Sequence, residues 1–161
     1  MPSGTTWIPR TCAGWSSSCM IREDFIRRKL QLIGEDLGHL LRFKDLTLDQ
    51  LLADDIRLAA VERIIERIVM RAVGVNEHLL AERLPPDAPY RDTFLALADV
   101  GLCTPEFARE IAASAGLRNI LVHDYNDVDR RILHRSIGSC LRDYKRYVEQ
   151  VEAFIAGLRD P

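Results

Sequence analysis

A cluster of reactive side chains lies within residues 116–125, between two strongly apolar segments. It holds an arginine, an amide, a histidine and a phenol: Arg118, Asn119, His123 and Tyr125. A histidine titrates near neutral pH and can move a proton. An arginine offers a planar pair of N–H donors to a phosphate, or to the extra charge of a phosphorane. The combination suits metal-independent RNA cleavage with the 2′-hydroxyl of the substrate as nucleophile.

The other two residues suit supporting roles. Asn119 could position the 2′-hydroxyl or hold one imidazole tautomer, and on a helix it is an i,i+4 neighbour of His123. Tyr125 could donate a hydrogen bond, stack on a base, or be modified. One such cluster supplies a single histidine. A dimer with the clusters at its two-fold axis would supply two, one as base and one as acid.

Basic residues follow the cluster closely, namely Arg130, Arg131, His134, Arg135 and Arg142. A protein that coats phosphate backbones is normally clearly basic, whereas this chain has a net charge of −2. Any contact with RNA must therefore be local. We predict an RNA-binding rim formed by Arg130, Arg131 and Arg135.

Non-catalytic interpretations compete with this one. Arginine, histidine and tyrosine at a helix end often only cap the helix or pair with carboxylates such as Asp124. Two alternatives stay open: a helical dimer that binds nucleotide or RNA without cleaving it, and a purely structural dimer. The sequence contains no phosphate loop, nucleophile elbow or HExxH pattern that would offer a rival site.

Apolar residues recur at helical spacing along most of the chain, which predicts an all-α fold. The main helices are expected at 21–43, 54–84, 104–123 and 129–158, with a shorter one at 90–100 and a lead-in at 48–52. Together they form a single antiparallel bundle of four main helices plus a short one. The helix at 54–84 carries two adjacent apolar stripes, which indicates a central helix or one that also contacts a second subunit.

The chain divides into an N-terminal extension, 1–19, and a helical domain, 20–161. The extension is rich in Ser, Thr, Gly and Pro and is expected to be disordered. Met20 directly precedes the first helical pattern and is a candidate translation start. Neither a secretory signal nor a membrane-length apolar run occurs. The four cysteines lack zinc spacing, which favours reduced thiols in a cytoplasmic protein without a metal or cofactor: Cys12, Cys19, Cys103 and Cys140.

The pattern Arg118-x4-His123-x-Tyr125 matches the R-x4-6-H-x-Y signature of HEPN-domain ribonucleases. The form RNILVHDY, at 118–125, is particularly similar to the HepT-like toxins. The resemblance extends to 90–94, 97–101 and 126–129, and it spans nearly everything from 20 to 158.

This resemblance implies a HEPN-like homodimer whose motifs meet in a cleft at the subunit interface. It implies an RNA-cleaving toxin of a toxin–antitoxin pair, with Arg118 and His123 as catalytic residues and Asn119 and Tyr125 in support. It also implies an antitoxin partner, a minimal nucleotidyltransferase of the MntA type. That partner would neutralise the toxin by transferring AMP from ATP to Tyr125.

Overall fold

The computed structural model describes residues 22–117 and 127–158. The helices of this part of the chain are α1 (Glu23–Leu41), α2 (Leu48–Leu52), α3 (Asp55–Leu79), α4 (Tyr90–Leu95), α5 (Pro105–Ala112) and α6 (Asp127–Gly157). Residues 114–117 are helical as well, and the described residues contain no strand. The predicted all-α class is therefore confirmed. The extension 1–19 lies outside the described residues.

Helix α3 is the centre of the bundle. It packs against α1, α2, α4 and α6, and eleven of its residues are buried. Both of its apolar stripes are covered within one chain, so their width reflects a central position and does not require a second subunit. Helices α1 and α3 are antiparallel, since the Arg22 amide donates to His78 Nε2 at one end of the pair. Near the other end of α1, His134 of α6 bonds to the Leu46 carbonyl.

Local capping chemistry explains where several helices begin. Thr47 forms a capping box with Gln50 at the start of α2, and Asp54 accepts two backbone N–H groups at the start of α3. Thr104 caps α5, whose first residue is a proline. Gly101 ends the turns after α4 with φ of 75°, a left-handed conformation that favours glycine.

Helix α3 is shorter than the apolar pattern predicts. It ends at Leu79, and the next residues form a separate turn in which Arg83 and Leu84 donate to the Leu80 carbonyl. A tight turn has almost the same apolar spacing as a helix, so the pattern alone cannot separate the two. No helix of the described residues combines the length and the apolar character needed to cross a membrane.

An ion cluster that the sequence did not predict fixes α1 against α3. The Asp36 carboxylate is 4% exposed and accepts hydrogen bonds from Arg67, at 2.5 Å, and from Arg71. Arg71 also donates to the Leu32 carbonyl at 2.9 Å. Asp36 occupies a position on the buried stripe of α1, between Ile33 and Leu40. A carboxylate on a buried stripe indicates that the facing helix carries a positively charged partner, and this feature could have predicted the cluster.

Replacing Asp36 with Asn should lower the free energy of unfolding by about 2 to 3 kcal/mol, because two guanidinium groups would lose their shared counter-charge. Breaking a fully buried ion pair lowers the free energy of unfolding by more than this. The smaller loss expected here reflects the partial exposure of the Arg67 and Arg71 side chains. Urea unfolding followed by circular dichroism measures the change. The matched control is Asp24→Asn, which breaks an ion pair whose carboxylate is 76% exposed and should change little. Equal losses in the two variants would contradict a specific role for Asp36.

Candidate functional site

The four residues of the predicted site, Arg118, Asn119, His123 and Tyr125, lie outside the described residues. These four side chains belong to residues 118–125, the motif segment. The structure describes the chain up to Leu117 and again from Asp127, where α6 begins. It therefore shows what holds the two flanks of the motif segment.

The upstream flank is not the continuous helix predicted for 104–123. Helix α5 ends at Ala112, and Ala113 forms a turn before residues 114–117 become helical again. Here the backbone bonds span only three residues: Ala113 N to Glu110 O at 3.3 Å, and Gly116 N to Ala113 O at 3.1 Å. The Ser114 hydroxyl donates to the Ile111 carbonyl at 2.6 Å, which gives that carbonyl a side-chain partner.

A buried tyrosine of α6 holds this turn. The Tyr144 hydroxyl lies 2.6 Å from Ser114 Oγ, and Tyr144 is fully buried. Burial is the main cause that raises the pKa of the Tyr144 phenol well above its usual value, so it stays protonated. The apolar spacing of the last helix predicted Tyr144 only as a core residue, and no sequence pattern pointed to Ser114. A serine between two alanines has no sequence feature that would indicate a partner on another helix.

A second buried tyrosine of α6 closes a polar network in the core. The Tyr147 hydroxyl donates to Asn76 Oδ1 at 2.7 Å, and Asn76 donates in turn to Thr93 Oγ1 at 3.3 Å. Thr93 donates to the Tyr90 carbonyl at 2.7 Å. Asn76 has no exposed surface, and its side-chain oxygen and nitrogen both have partners. Asn76 is therefore a core residue whose hydrogen bonds are satisfied within the bundle.

The downstream flank begins earlier than predicted. Asp129, expected as the N-cap of the last helix, lies within α6, which begins at Asp127. One turn after Arg130, His134 Nε2 bonds to the Leu46 carbonyl at 2.6 Å, which ties the start of α6 to the chain between α1 and α2. His134 is therefore part of the packing between helices, whereas its place in the sequence grouped it with the basic residues after the cluster.

The structure divides the predicted basic rim. Arg131 and Arg135 are exposed, lie one helical turn apart, and form no ion pair among the described side chains, which exclude those of residues 127–129. Arg130 is half-buried, and its Nε is buried without a hydrogen-bond partner among the described residues. Arg142 is exposed but paired with Glu110 and Asp143. Of these four arginines, Arg131 and Arg135 are the two that are exposed and have no carboxylate partner among the described side chains.

The two described cysteines are unsuited to act as nucleophiles. Cys103 and Cys140 are buried, and burial raises the pKa of their thiols to about 11 and about 12. Both therefore remain neutral thiols at physiological pH. Within the described part of the chain, no group of three or more histidine, cysteine or acidic residues could hold a metal ion.

Two solved structures with a similar fold are toxin–antitoxin complexes. A mutant MntA toxin–antitoxin complex matches with a TM-score of 0.71 at 23% identity, over 81% of this chain and 98% of that chain. A tri-AMPylated HEPN toxin of Shewanella oneidensis, in complex with an MNT antitoxin, matches with a TM-score of 0.70 at 23% identity over the same shares. At this identity the likeness establishes the fold.

Sequence relatives extend the comparison. The chain is 34% identical to the tRNA nuclease HepT of Aphanizomenon flos-aquae over 137 residues, which are 84% of this chain and 92% of the relative. It is 32% identical to the mRNA nuclease HepT of Shewanella oneidensis over 63 residues, 39% of this chain and 47% of that relative. The family model of ribonuclease HepT-like proteins matches residues 33–151, a range that encloses the motif segment. The chain belongs to the ribonuclease HepT-like family.

Proposed function

We propose that this protein is an endoribonuclease that acts as the toxin of a toxin–antitoxin pair. The observation that carries the proposal is the position of Arg118-x4-His123-x-Tyr125 within the range that matches the family. Two relatives from different bacteria are nucleases, one of tRNA and one of mRNA. The domain 20–161 would carry the activity in the cytoplasm, where its RNA substrates are.

The proposed reaction is a metal-independent transesterification. His123 takes the proton of a 2′-hydroxyl, and the resulting oxygen attacks the adjacent phosphorus. The bond from phosphorus to the 5′-oxygen breaks, and a protonated histidine supplies the proton that this oxygen needs. The products are a 2′,3′-cyclic phosphate and a 5′-hydroxyl. Arg118 stabilises the charge that builds on the phosphoryl oxygens, and Asn119 and Tyr125 orient the reacting groups.

This scheme needs one basic and one protonated histidine, and the motif segment contains a single histidine. We therefore propose that two copies of the chain pair so that their motif segments share one cleft. A second copy would supply the second imidazole. The burial of both stripes of α3 within one chain supports an arrangement in which α3 stays in the core and other surfaces form the interface.

The RNA-binding rim can be narrowed to Arg131 and Arg135, which are exposed and have no carboxylate partner among the described side chains. Arg131 and Arg135 lie on α6, directly after the motif segment, and face solvent. They could contact phosphates on either side of the cleavage position. Arg130, the third residue of the predicted rim, has less freedom because it is half-buried.

We also propose regulation by a minimal nucleotidyltransferase partner that attaches AMP to Tyr125. The similar structures include a tri-AMPylated toxin bound to its antitoxin, and the modification there belongs to that protein. On this chain an adenylyl group at Tyr125 would place a bulky, negatively charged phosphodiester beside Arg118 and His123. It would compete with the substrate phosphate for the same donors.

The first test replaces His123 with Ala. Wild-type protein should degrade RNA in the presence of EDTA and leave 2′,3′-cyclic phosphate ends, and His123→Ala should lose at least about a hundredfold of this rate because it lacks both proton carriers. Purified proteins and a defined tRNA or mRNA substrate provide the measurement. His39→Ala, which removes an exposed histidine of α1, is the control and should retain activity. Equal cleavage by wild type and His123→Ala would contradict the assignment.

The second test concerns the partner. Co-expression with the cognate nucleotidyltransferase should increase the mass of the chain by whole adenylyl groups, with Tyr125 modified and RNA cleavage abolished. Tyr125→Phe should not be modified at position 125, whereas Tyr90→Phe, on α4, should still carry the modification at Tyr125. An inactive complex whose Tyr125 is unmodified in peptide mass spectra would contradict this mode of regulation.

The third test measures RNA affinity in the His123→Ala background, where the substrate survives. Arg131→Gln with Arg135→Gln should weaken binding by about tenfold near 0.1 M salt, and each phosphate that is no longer neutralised should flatten the salt dependence by about 0.7 log units. Arg27→Gln with Arg28→Gln is the charge-matched control, because both arginines are exposed and lie on α1 at the opposite end of the bundle. Equal effects of the two double variants would show that only net charge matters.

A further inference from the structure

The Tyr144 hydroxyl makes a directional contact with the chain that leads into the motif segment. Ser114 has one hydroxyl hydrogen, and it points to the Ile111 carbonyl at 2.6 Å. In the 2.6 Å contact between Ser114 and Tyr144, the tyrosine must therefore be the donor. The chain of bonds from Tyr144 to Ser114 to Ile111 joins α6 to the last turn of α5.

This contact lies at the place where the helical path changes. Around Ala113 the backbone forms two hydrogen bonds of three-residue span, which are tighter than those of an α-helix. Ser114 supplies the partner for the Ile111 carbonyl at this break. The hydroxyl pair thus fixes the direction in which residues 114–117 leave α5.

The contact between Ser114 and Tyr144 lies close in sequence to the predicted catalytic residue Arg118. Ser114 precedes Arg118 by four residues, one helical turn along the sequence. Between them, Ala115 is 5% exposed and Leu117 packs against the hydrophobic core. A shift of the backbone at Ser114 would therefore press Ala115 and Leu117 against the core. Gly116, between them, is exposed, so the coupling to the start of the motif segment runs through the packing of these two residues.

We propose that Tyr144 and Ser114 are positioning residues for the ribonuclease site, which set the placement of Arg118 through the turn at residues 113–117. The inference rests on the proposed function, and it adds two residues that touch no substrate. Helix α6 begins directly after the motif segment and also carries Arg131 and Arg135. One helix would thus hold the upstream flank through Tyr144 and form the downstream flank itself.

The chain contains a matched control. Tyr144 and Tyr147 are both fully buried, lie on the same helix and each contribute a hydroxyl hydrogen bond to the core. Their partners differ, since Tyr144 reaches Ser114 and Tyr147 reaches Asn76 of α3. Phenylalanine at either position removes one oxygen and keeps the ring. Tyr147→Phe should lose at least as much thermal stability as Tyr144→Phe, because it leaves the buried Asn76 Oδ1 without its donor and also ends the 3.3 Å contact with the Ala72 carbonyl. Only Tyr144→Phe removes a contact from the turn.

The experiment compares RNA cleavage by Tyr144→Phe and Tyr147→Phe in the full chain. Tyr144→Phe should lower kcat at least about tenfold with KM nearly unchanged, because small misplacements of a catalytic group carry losses of that size or greater. Tyr147→Phe should retain a kcat close to that of the wild type, because it leaves the contact at the turn intact. Ser114→Ala should match Tyr144→Phe, and the double variant should lose no more than either single one, since both remove one interaction.

A second readout does not depend on activity. Hydrogen–deuterium exchange of the amides of residues 114–117 should accelerate in Tyr144→Phe and stay at the wild-type rate in Tyr147→Phe. Ser114→Thr keeps the hydroxyl and should show both the slow exchange and the kcat of the wild type.

The outcomes separate the two proposals. Equal kcat and equal exchange in Tyr144→Phe and Tyr147→Phe would overturn the positioning role while leaving the ribonuclease proposal intact. If the wild-type chain cuts no RNA, the proposed function fails. In that case unchanged exchange in Tyr144→Phe would overturn the claim that the hydroxyl pair fixes the turn, and faster exchange would support that claim.

Discussion

The hydroxyl groups of two buried tyrosines constrain the placement of α6 in the bundle. Tyr144 and Tyr147 have no exposed surface, and leaving a buried donor without a partner costs on the order of 1–3 kcal/mol. Their partners come from different parts of the fold, Ser114 after α5 and Asn76 in α3. Sliding or rotating α6 by one residue would break both bonds. The rings add edge contacts with Phe94 of α4 and with each other, with centroids 6.0–6.5 Å apart.

Different kinds of interaction hold different helices of the bundle in place. The face between α1 and α3 is held by apolar packing and by the carboxylate of Asp36, which two arginines share. The face of α6 is held by neutral hydrogen bonds in the core and by the contact of His134 with Leu46. Both flanks of the motif segment are thus anchored to α6. Such a frame suits a site built from a short stretch of chain, since the supporting atoms are packed and hydrogen-bonded.

The fold class could be predicted from the sequence because helices are marked by the period of their apolar residues and by their caps. The apolar stripes of α1, α3 and α6, together with Thr47, Thr104 and Gly101, were sufficient to place the main helices. The interruption at Ala113 could not be predicted, because the apolar residues around it keep helical spacing. Nor could the roles of Asp36, Ser114 and Tyr144, which depend on groups 30 or more residues away in the chain. The catalytic residues themselves, Arg118 and His123, were proposed from their types and spacing and remain a proposal.

The central claim is that one chain carries half of a ribonuclease site and that a second copy completes it. A crystal structure of the purified protein tests this most directly. The account predicts a two-fold dimer in which the two His123 imidazoles face one cleft, each with Arg118 beside it, while Tyr144 of each chain holds Ser114. A monomer, or a dimer whose motif segments open on separate faces, would contradict it.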